Sequence, residues 1–134
     1  MPTITANYAG SLRTEAIHVD SGNEIITDAP LDNNGRGEAF SPTDLVCAAL
    51  SSCMMTIMGI LAEREGIELK GLSSSVVKIM DSNPRKIKEI QITFTHADLH
   101  GTDIQKEKLK RAAVTCPVAL SLSDSVKQTI RFNF

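Results

Sequence analysis

The residues best suited to covalent chemistry are the three cysteines, Cys47, Cys53 and Cys116. An odd number of cysteines without a Cys-x-x-Cys pair argues against a disulfide framework and against a zinc site. The amino terminus lacks the pattern of an export signal, so we expect a cytoplasmic protein with reduced thiols. Thiolates attack oxidants and other electrophiles, which makes these cysteines the first candidates for a catalytic site.

Cys53 and Cys116 are predicted to lie in different local environments. Cys53 falls in the middle of an apolar segment, where it is a packing residue unless a cation is brought to it. Cys116 precedes Pro117 at the start of a predicted short helix, and the amino end of a helix favours a thiolate. Local electrostatics therefore makes Cys116 the more acidic thiol, although Cys116 also fits the role of a simple helix cap.

The remaining cysteine and the histidines point to no further site. Cys47 precedes Cys53 by six positions, which is about 120° around a helix, so the two cannot form an ordinary disulfide there. Cys47 is interpreted as a packing residue. The histidines do not form a metal set, and we expect neither a metal nor a cofactor. A Cys–His pair for acyl transfer stays open, because such partners need not be close in sequence.

Two arginines in the amino-terminal third could supply a cation. Arg13 follows the first predicted turn, and Arg36 lies between two glycines in a polar loop predicted over residues 28–40. A guanidinium that reaches a thiol stabilises the thiolate and can hydrogen-bond a peroxide oxygen. Each arginine taken singly also fits a solvated surface residue.

The elements that position these residues are predicted to form one domain over residues 1–134. Apolar residues make up 42% of the chain and charged residues 22%, as in globular domains. Fourteen basic and sixteen acidic residues give a net charge of −2. With no basic excess and only 4% aromatic residues, nucleic-acid binding is not expected.

The clearest element is a helix that begins after Ser41. Ser41 fits the N-cap, Pro42 the first helical position and Asp44 the return partner of a capping box. Residues 45–62 contain no charged side chain, and 18 residues correspond to about 27 Å of helix. Interrupting polar residues and the lack of anchoring aromatic or basic flanks favour a buried central helix over a membrane span. Because so small a domain cannot surround an apolar helix, we predict a homodimer whose central helices pack together.

Six strands and two further helices are predicted from alternation, turns and capping signals. The strands cover residues 3–8, 12–19, 24–27, 73–80, 86–96 and 126–134. One helix opens at a Thr102 capping box and ends near Thr115, and a short one covers residues 118–124. This order predicts an α+β fold with helices on one face of a mainly antiparallel sheet.

Several sequence blocks together form a family pattern. The run SPTDLVCAALSSCMMTIM is followed some 60 residues later by AAVTCPVALSL, and the blocks YAGSLR, SGNEIITDAP and GRGEAFSP precede them. In these blocks the chain resembles the OsmC/Ohr family, which comprises osmotically inducible protein C and the organic hydroperoxide resistance proteins. The resemblance extends over nearly the whole chain. It implies an intertwined α+β homodimer with antiparallel sheets, a buried central helix and two active sites at the subunit interface.

The resemblance also implies that two cysteines reduce organic hydroperoxides. Cys53 matches the cysteine that attacks the O–O bond and becomes a sulfenic acid, and Cys116 matches the one that condenses with it to a disulfide. A dithiol, in one branch a lipoylated protein, then restores both thiols. We follow this assignment of the first attack to Cys53, because an arginine from another segment could reverse the local electrostatics.

The remaining site residues are also assigned through this resemblance. The arginine that holds the thiolate in the hydroperoxide-resistance branch matches Arg13, with Arg36 as the runner-up. We expect an apolar pocket, selective for alkyl or lipid peroxides, lined by the following residues: Asp44, Leu50, Met54 and Ile57.

One departure from the family pattern keeps other functions open. The glutamate that pairs with the arginine in that branch is replaced by Thr43, and the adjacent Asp44 is rotated by about 100° around the helix. The chain is therefore nearer to the general OsmC-like group. The alternative function is a non-catalytic protein that binds a hydrophobic small molecule in the dimer-interface pocket, and a weaker one is a cysteine acyl hydrolase.

Overall fold

Two three-stranded sheets and one long helix dominate the computed structural model, which describes residues 1–134. The elements in chain order are β1 (Ile4–Gly10), β2 (Arg13–His18), β3 (Glu24–Asp28), α1 (Pro42–Glu65), β4 (Ser73–Asp81), β5 (Lys86–Thr95), α2 (Asp103–Val114), α3 (Pro117–Ser121) and β6 (Lys127–Asn133). This content confirms the predicted α+β class. The chain divides into two compact units, Met1–Val46 and Cys47–Phe134, and a single domain over residues 1–134 stays a prediction.

The first unit contains an antiparallel meander in the order β1-β2-β3. The turn between β1 and β2 passes through Gly10, Ser11 and Leu12, all with positive φ, and only glycine takes such angles without strain. The turn after β2 sets a register in which Arg13 lies opposite Asp28. The predicted loop that follows contains one short 3₁₀ turn, Leu31–Asn33.

The second unit contains the sheet β4-β5-β6, in which one pairing differs from the expectation. β4 and β5 are antiparallel, as predicted for a hairpin, but β5 and β6 are parallel. A parallel pair requires a long crossover, and α2 and α3 provide it between the two strands. The buried residues of β5 and the interior positions of the helices form the core of this unit: Ile90, Ile92, Phe94, Leu109 and Ala113.

Helix α1 starts and stops where the local signals predict. The Ser41 N–H donates to Asp44 Oδ2 at 2.9 Å, and the Asp44 N–H donates to Ser41 Oγ at 3.1 Å, a reciprocal capping box. At the other end Gly66 takes a φ of 69°, and the Ile67 N–H donates to the Ala62 carbonyl at 2.8 Å. These bonds satisfy backbone groups that the helix ends would otherwise leave unpaired.

The side chains of α1 differ sharply in burial from one side of the helix to the other. One stripe is buried: Cys47, Leu50, Ser51, Met54, Met58 and Ala62. The opposite side includes the exposed Ala49, Ser52, Thr56 and Ile60. By length and composition α1 could cross a membrane, a property that core helices share. Within one chain the helix is thus buried on one side, and a hydrogen bond of 2.7 Å between Ser51 Oγ and Ser74 Oγ links it to β4.

The two later helices carry the chain across to β6. The predicted capping box of α2 is confirmed, since Thr102 Oγ1 accepts the Gln105 N–H and Gln105 returns a bond to the Thr102 N–H. Helix α3 is shorter than the predicted 118–124, because Leu122 is already extended. The Gln128 side chain on β6 donates to the Ala119 carbonyl at 3.1 Å and so fastens α3 to the sheet.

Candidate functional site

Cys53 lies at the centre of α1, on the border between its buried stripe and its accessible side. Its side chain is half-buried and its thiol is free. Both ends of the helix are capped, so the thiol projects from a rigid element rather than from a loop. Cys53 is the accessible thiol of the second unit.

Cys116 lies at the junction of α2 and α3 and is completely buried. It is the N-cap residue of α3, ahead of Pro117, and its Sγ accepts the N–H of Ala119 at 3.4 Å. The predicted cap-and-proline helix start is therefore confirmed. This cap holds the sulfur in one orientation.

The thiols of Cys53 and Cys116 are direct neighbours in the second unit. Burial raises the pKa of Cys116, and the interaction with the Cys53 side chain raises it further, against the opposing effect of the Ala119 N–H. Desolvation of Cys116 therefore acts against the predicted stabilisation of its thiolate by the helix start. A helix of only five residues offers little stabilisation to a thiolate, and desolvation of the charged form prevails.

Cys47 lies on the buried stripe of α1 and is not part of a disulfide. Its exposed fraction is 4%, which agrees with its interpretation as a packing residue. Cys53 and Cys116 therefore form the thiol pair of the candidate site.

Arg13 is held by the Asp28 carboxylate, which is not among the predicted site residues. Its Nε and Nη2 donate to Asp28 Oδ1 and Oδ2, both at 2.7 Å, in a bidentate pair. Hydrogen bonding from Arg13 holds the pKa of Asp28 below its usual value, and the same pair raises the pKa of Arg13. The guanidinium is therefore fixed on strand β2, in the first unit.

Asp28 could have been found by counting residues outward from the predicted turn at residues 20–23. That turn pairs Ile17 with Glu24, and four steps further out it pairs Arg13 with Asp28. Opposite charges directly across an antiparallel pair attract. The predicted strand ended one residue early, at position 27, and so left out Asp28.

Arg36 lies in the loop between β3 and α1 and is exposed. Its charge contributes to the lowered pKa of Asp28. The structure thus distinguishes a fixed arginine, Arg13, from a solvated one, Arg36.

The four predicted pocket residues occupy different environments. Leu50 and Met54 have no exposed surface and belong to the core of the second unit. Ile57 is half-buried, one helical turn from Cys53. Asp44 is engaged in the capping box of α1, so its carboxylate is already hydrogen-bonded. Of these residues, Ile57 is the one that shares the border position of Cys53.

The histidines take part in hydrogen bonds that involve no cysteine. His18 bonds Ser21, His96 bonds the Lys70 carbonyl, and His100 bonds Asp98. These bonds hold the three histidines on partners other than Cys53 and Cys116. No group of three or more His, Cys, Asp or Glu side chains is arranged to hold a metal ion.

Solved structures of other proteins match the fold of this chain over almost its entire length. A Psychrobacter arcticus protein, named as an osmotic stress induced and detoxification response protein, shares 44% identity over 99% of this chain and 96% of its own, with a TM-score of 0.94. An organic hydroperoxide resistance protein OsmC of Legionella pneumophila matches at 19% identity, with coverage of 100% and 98% and a TM-score of 0.71. An organic hydroperoxide resistance protein of Vibrio cholerae, with captopril in one of its active sites, matches at 16% identity, with coverage of 99% and 92% and a TM-score of 0.71.

The comparison with curated proteins yields no significant match. A family model described as OsmC-like protein matches residues 35–131, which include all of α1, the second sheet as far as Arg131 and both cysteines of the thiol pair. The matched region exceeds half of the chain, and the blocks that carry the resemblance in the sequence fall largely within it. The chain therefore belongs to the OsmC-like protein family.

Proposed function

We propose that the protein acts in the response to peroxide stress as a thiol-dependent peroxidase that reduces organic hydroperoxides. The observation that carries the proposal is the contact between an accessible and a buried free thiol, Cys53 and Cys116, on two rigid elements. Two adjacent thiols supply the two electrons that reduction of a peroxide consumes. Membership of the OsmC-like family and the names of related structures support the peroxide-stress role.

The reaction has three balanced steps. The Cys53 thiolate attacks one oxygen of ROOH, the O–O bond breaks, and ROH leaves after taking up a proton while Cys53 becomes a sulfenic acid. Cys116 then attacks the Cys53 sulfur, which forms the disulfide and releases water. A dithiol reductant, for which a lipoylated protein is a candidate, transfers two electrons and two protons and restores both thiols.

The burial of Cys116 supports this division of roles. A fully buried thiol with a raised pKa is protected from direct oxidation, whereas the half-buried Cys53 is open to substrate. Arg13 is the proposed cation for the thiolate, through its match to the family arginine, with Arg36 as the runner-up. Of the predicted pocket residues, the proposal keeps Asp44 and Ile57, because Leu50 and Met54 have no exposed surface that could line a pocket.

A homodimer and a cytoplasmic location belong to the same proposal. The exposed apolar residues Ala49 and Ile60 on α1 support a second copy that covers this side of the helix. Apolar side chains are also exposed on the first sheet: Ile4, Tyr8, Ile25 and Ile26. The cytoplasmic location stays a prediction from the sequence.

Thiol titration with cumene hydroperoxide tests the mechanism. One equivalent should remove two thiols from the reduced protein and produce a Cys53–Cys116 disulfide in peptide mass mapping. Cys53→Ser should abolish turnover, whereas the matched Cys47→Ser, at the buried cysteine outside the pair, should retain it if it folds. Full turnover by Cys53→Ser would rule the mechanism out.

Thr43 favours one alternative function. Thr43 stands at the position of the family glutamate, and its side chain carries no charge. Its hydroxyl lies 3.2 Å from the Ser41 hydroxyl. The alternative is a non-catalytic protein that binds a hydrophobic small molecule. Native mass spectrometry that shows a co-purified ligand, together with thiols unchanged after peroxide, supports this alternative over the enzyme.

A further inference from the structure

We infer that Cys53 and Cys116 form a two-coordinate binding site for a soft monovalent metal ion, Cu(I). The inference does not depend on the proposed function, because coordination of a metal ion by two thiolates needs neither peroxide nor turnover. It concerns the second unit alone, since both cysteines lie within Cys47–Phe134.

The two sulfurs are placed to hold one atom between them. Cys53 projects from the middle of α1, Cys116 lies at the junction of α2 and α3, and their side chains are within hydrogen-bonding reach of each other. Neither cysteine is engaged in a disulfide. Both sulfurs are carried by capped helices, so the arrangement is formed before a ligand arrives.

The ligand set selects the metal. Thiolates are soft ligands that bind Cu(I), zinc and iron–sulfur clusters. Structural zinc sites require four protein ligands, catalytic zinc sites three, and iron–sulfur clusters four. No third His, Cys, Asp or Glu side chain joins the pair to complete such a set. Cu(I) therefore fits best, because a monovalent ion with a filled d shell is satisfied by two thiolates in a line.

The enclosure of Cys116 favours this low coordination number. Its side chain has no exposed surface, so water cannot supply a third ligand from that side. The bound form carries one negative charge, since two thiolates share one monovalent cation. The Ala119 N–H donates to Cys116 Sγ at 3.4 Å and stabilises this charge. The half-buried Cys53 leaves a path along which the ion can enter.

Binding is a ligand exchange in which no oxidation state changes. Cu(I) leaves its previous ligand, the two S–H bonds break, two Cu–S bonds form, and both protons pass to the solvent. The prediction that the protein binds no metal rested on the histidines and on the lack of a Cys-x-x-Cys pair. This site instead joins two cysteines from distant segments of the chain, which only the folded structure brings together.

Anaerobic titration with Cu(I) tests the site. The reduced protein should take up one Cu(I) per chain in competition with bathocuproine disulfonate, as the colour of the probe's copper complex decreases. Cys53→Ser and Cys116→Ser should each weaken binding by at least about 100-fold, because a hydroxyl is a hard ligand that keeps its proton. Serine is also a good N-cap residue, so Cys116→Ser preserves the start of α3.

Cys47→Ser is the matched control, at the buried cysteine outside the pair. Because it removes no ligand, its affinity for Cu(I) should stay within about threefold of the wild type. Undiminished binding by either Cys53→Ser or Cys116→Ser would overturn the inference, and so would a wild-type protein that binds no Cu(I).

Two measurements on the wild-type protein avoid any dependence on the folding of variants. X-ray absorption of the copper complex should show two sulfur ligands, and a third ligand contradicts the two-coordinate site. One equivalent of Cu(I) should slow the alkylation of Cys53 by iodoacetamide at least about tenfold, because the metal occupies its sulfur. An unchanged alkylation rate at full copper occupancy contradicts coordination by Cys53.

The outcomes also separate this inference from the proposed function. A protein that binds Cu(I) through the pair but whose thiols do not respond to peroxide contradicts only the peroxidase. A protein that reduces peroxide but binds no Cu(I) contradicts only the metal site.

Discussion

The thiol of Cys116 is enclosed by protein and accepts one backbone N–H, from Ala119. A helix start favours a thiolate, but removal from water disfavours it, and the raised pKa of Cys116 shows that desolvation is the larger effect. Cys53 lacks this enclosure because it faces the border of the buried stripe. At the scale of single residues, burial rather than helix position therefore decides which thiol meets a reagent first.

This difference predicts the order of alkylation. At pH 7 iodoacetamide should modify Cys53 first. Cys116 should react at no more than about one tenth of the rate of Cys53, because it is both enclosed and protonated. Peptide mass spectrometry over time measures the two rates. In urea the difference should disappear, and preferential labelling of Cys116 in the folded protein would contradict the assignment.

The Arg13–Asp28 pair predicts that the free energy of unfolding decreases at acidic pH. The pKa of Asp28 is lower in the folded chain than its unfolded value near 4, so its stabilising effect is complete above that value. This effect is lost as the pH falls through the lowered folded pKa, because the unfolded chain binds the proton more readily. In urea unfolding between pH 2 and 6, the free energy of unfolding should decrease less steeply with falling pH for Asp28→Asn than for Glu15→Gln, the control at an exposed position of β2. Equal slopes for the two variants would contradict this account.

At the scale of elements, α1 is the part that positions Cys53. Its amino end depends on the reciprocal bonds between Ser41 and Asp44, and its buried stripe anchors the helix in the second unit. The start and end of this helix could be predicted from the sequence because caps act over three or four residues. The end of α3 could not, because Leu122 turns extended on the way to β6 rather than at a local stop signal.

The cap of α1 predicts a measurable loss of stability. Ser41→Ala removes the acceptor of the Asp44 N–H and should lower the free energy of unfolding by at least about 1 kcal/mol. Ser52→Ala, at an exposed position within the same helix, is the control and should change it by less than about 0.5 kcal/mol. Equal effects of the two substitutions in urea unfolding would show that the capping box does not contribute.

At the scale of the whole molecule, a single chain leaves much apolar surface in contact with water. Ile60 on α1 is 45% exposed, although it belongs to the uncharged run that suggested a central helix. A large exposed apolar surface marks an interface, which is the physical basis of the proposed homodimer.

The proposed dimer predicts the effect of a charge on α1. Ile60→Glu should raise the dimer dissociation constant by at least about 100-fold, because an unpaired carboxylate would be buried at the interface. Light scattering should then report a mass near the 14.5 kDa of one chain, and twice that mass for the wild type. Glu63→Gln, at an exposed position one turn further on, should leave the dimer intact. A monomeric wild type at micromolar concentration would contradict the dimer.

The amino-acid sequence by itself determined the order of the elements, the caps of α1 and α2 and the two cysteine blocks, because these signals act between residues close in the chain. Only the tertiary structure decided the parallel pairing of β5 with β6, the direction of the pKa shift of Cys116 and the partner of Arg13. Each of these depends on groups that are distant in sequence. Desolvation and cross-strand charge pairing arise only when the folded chain has excluded water from the thiol and brought Asp28 opposite Arg13.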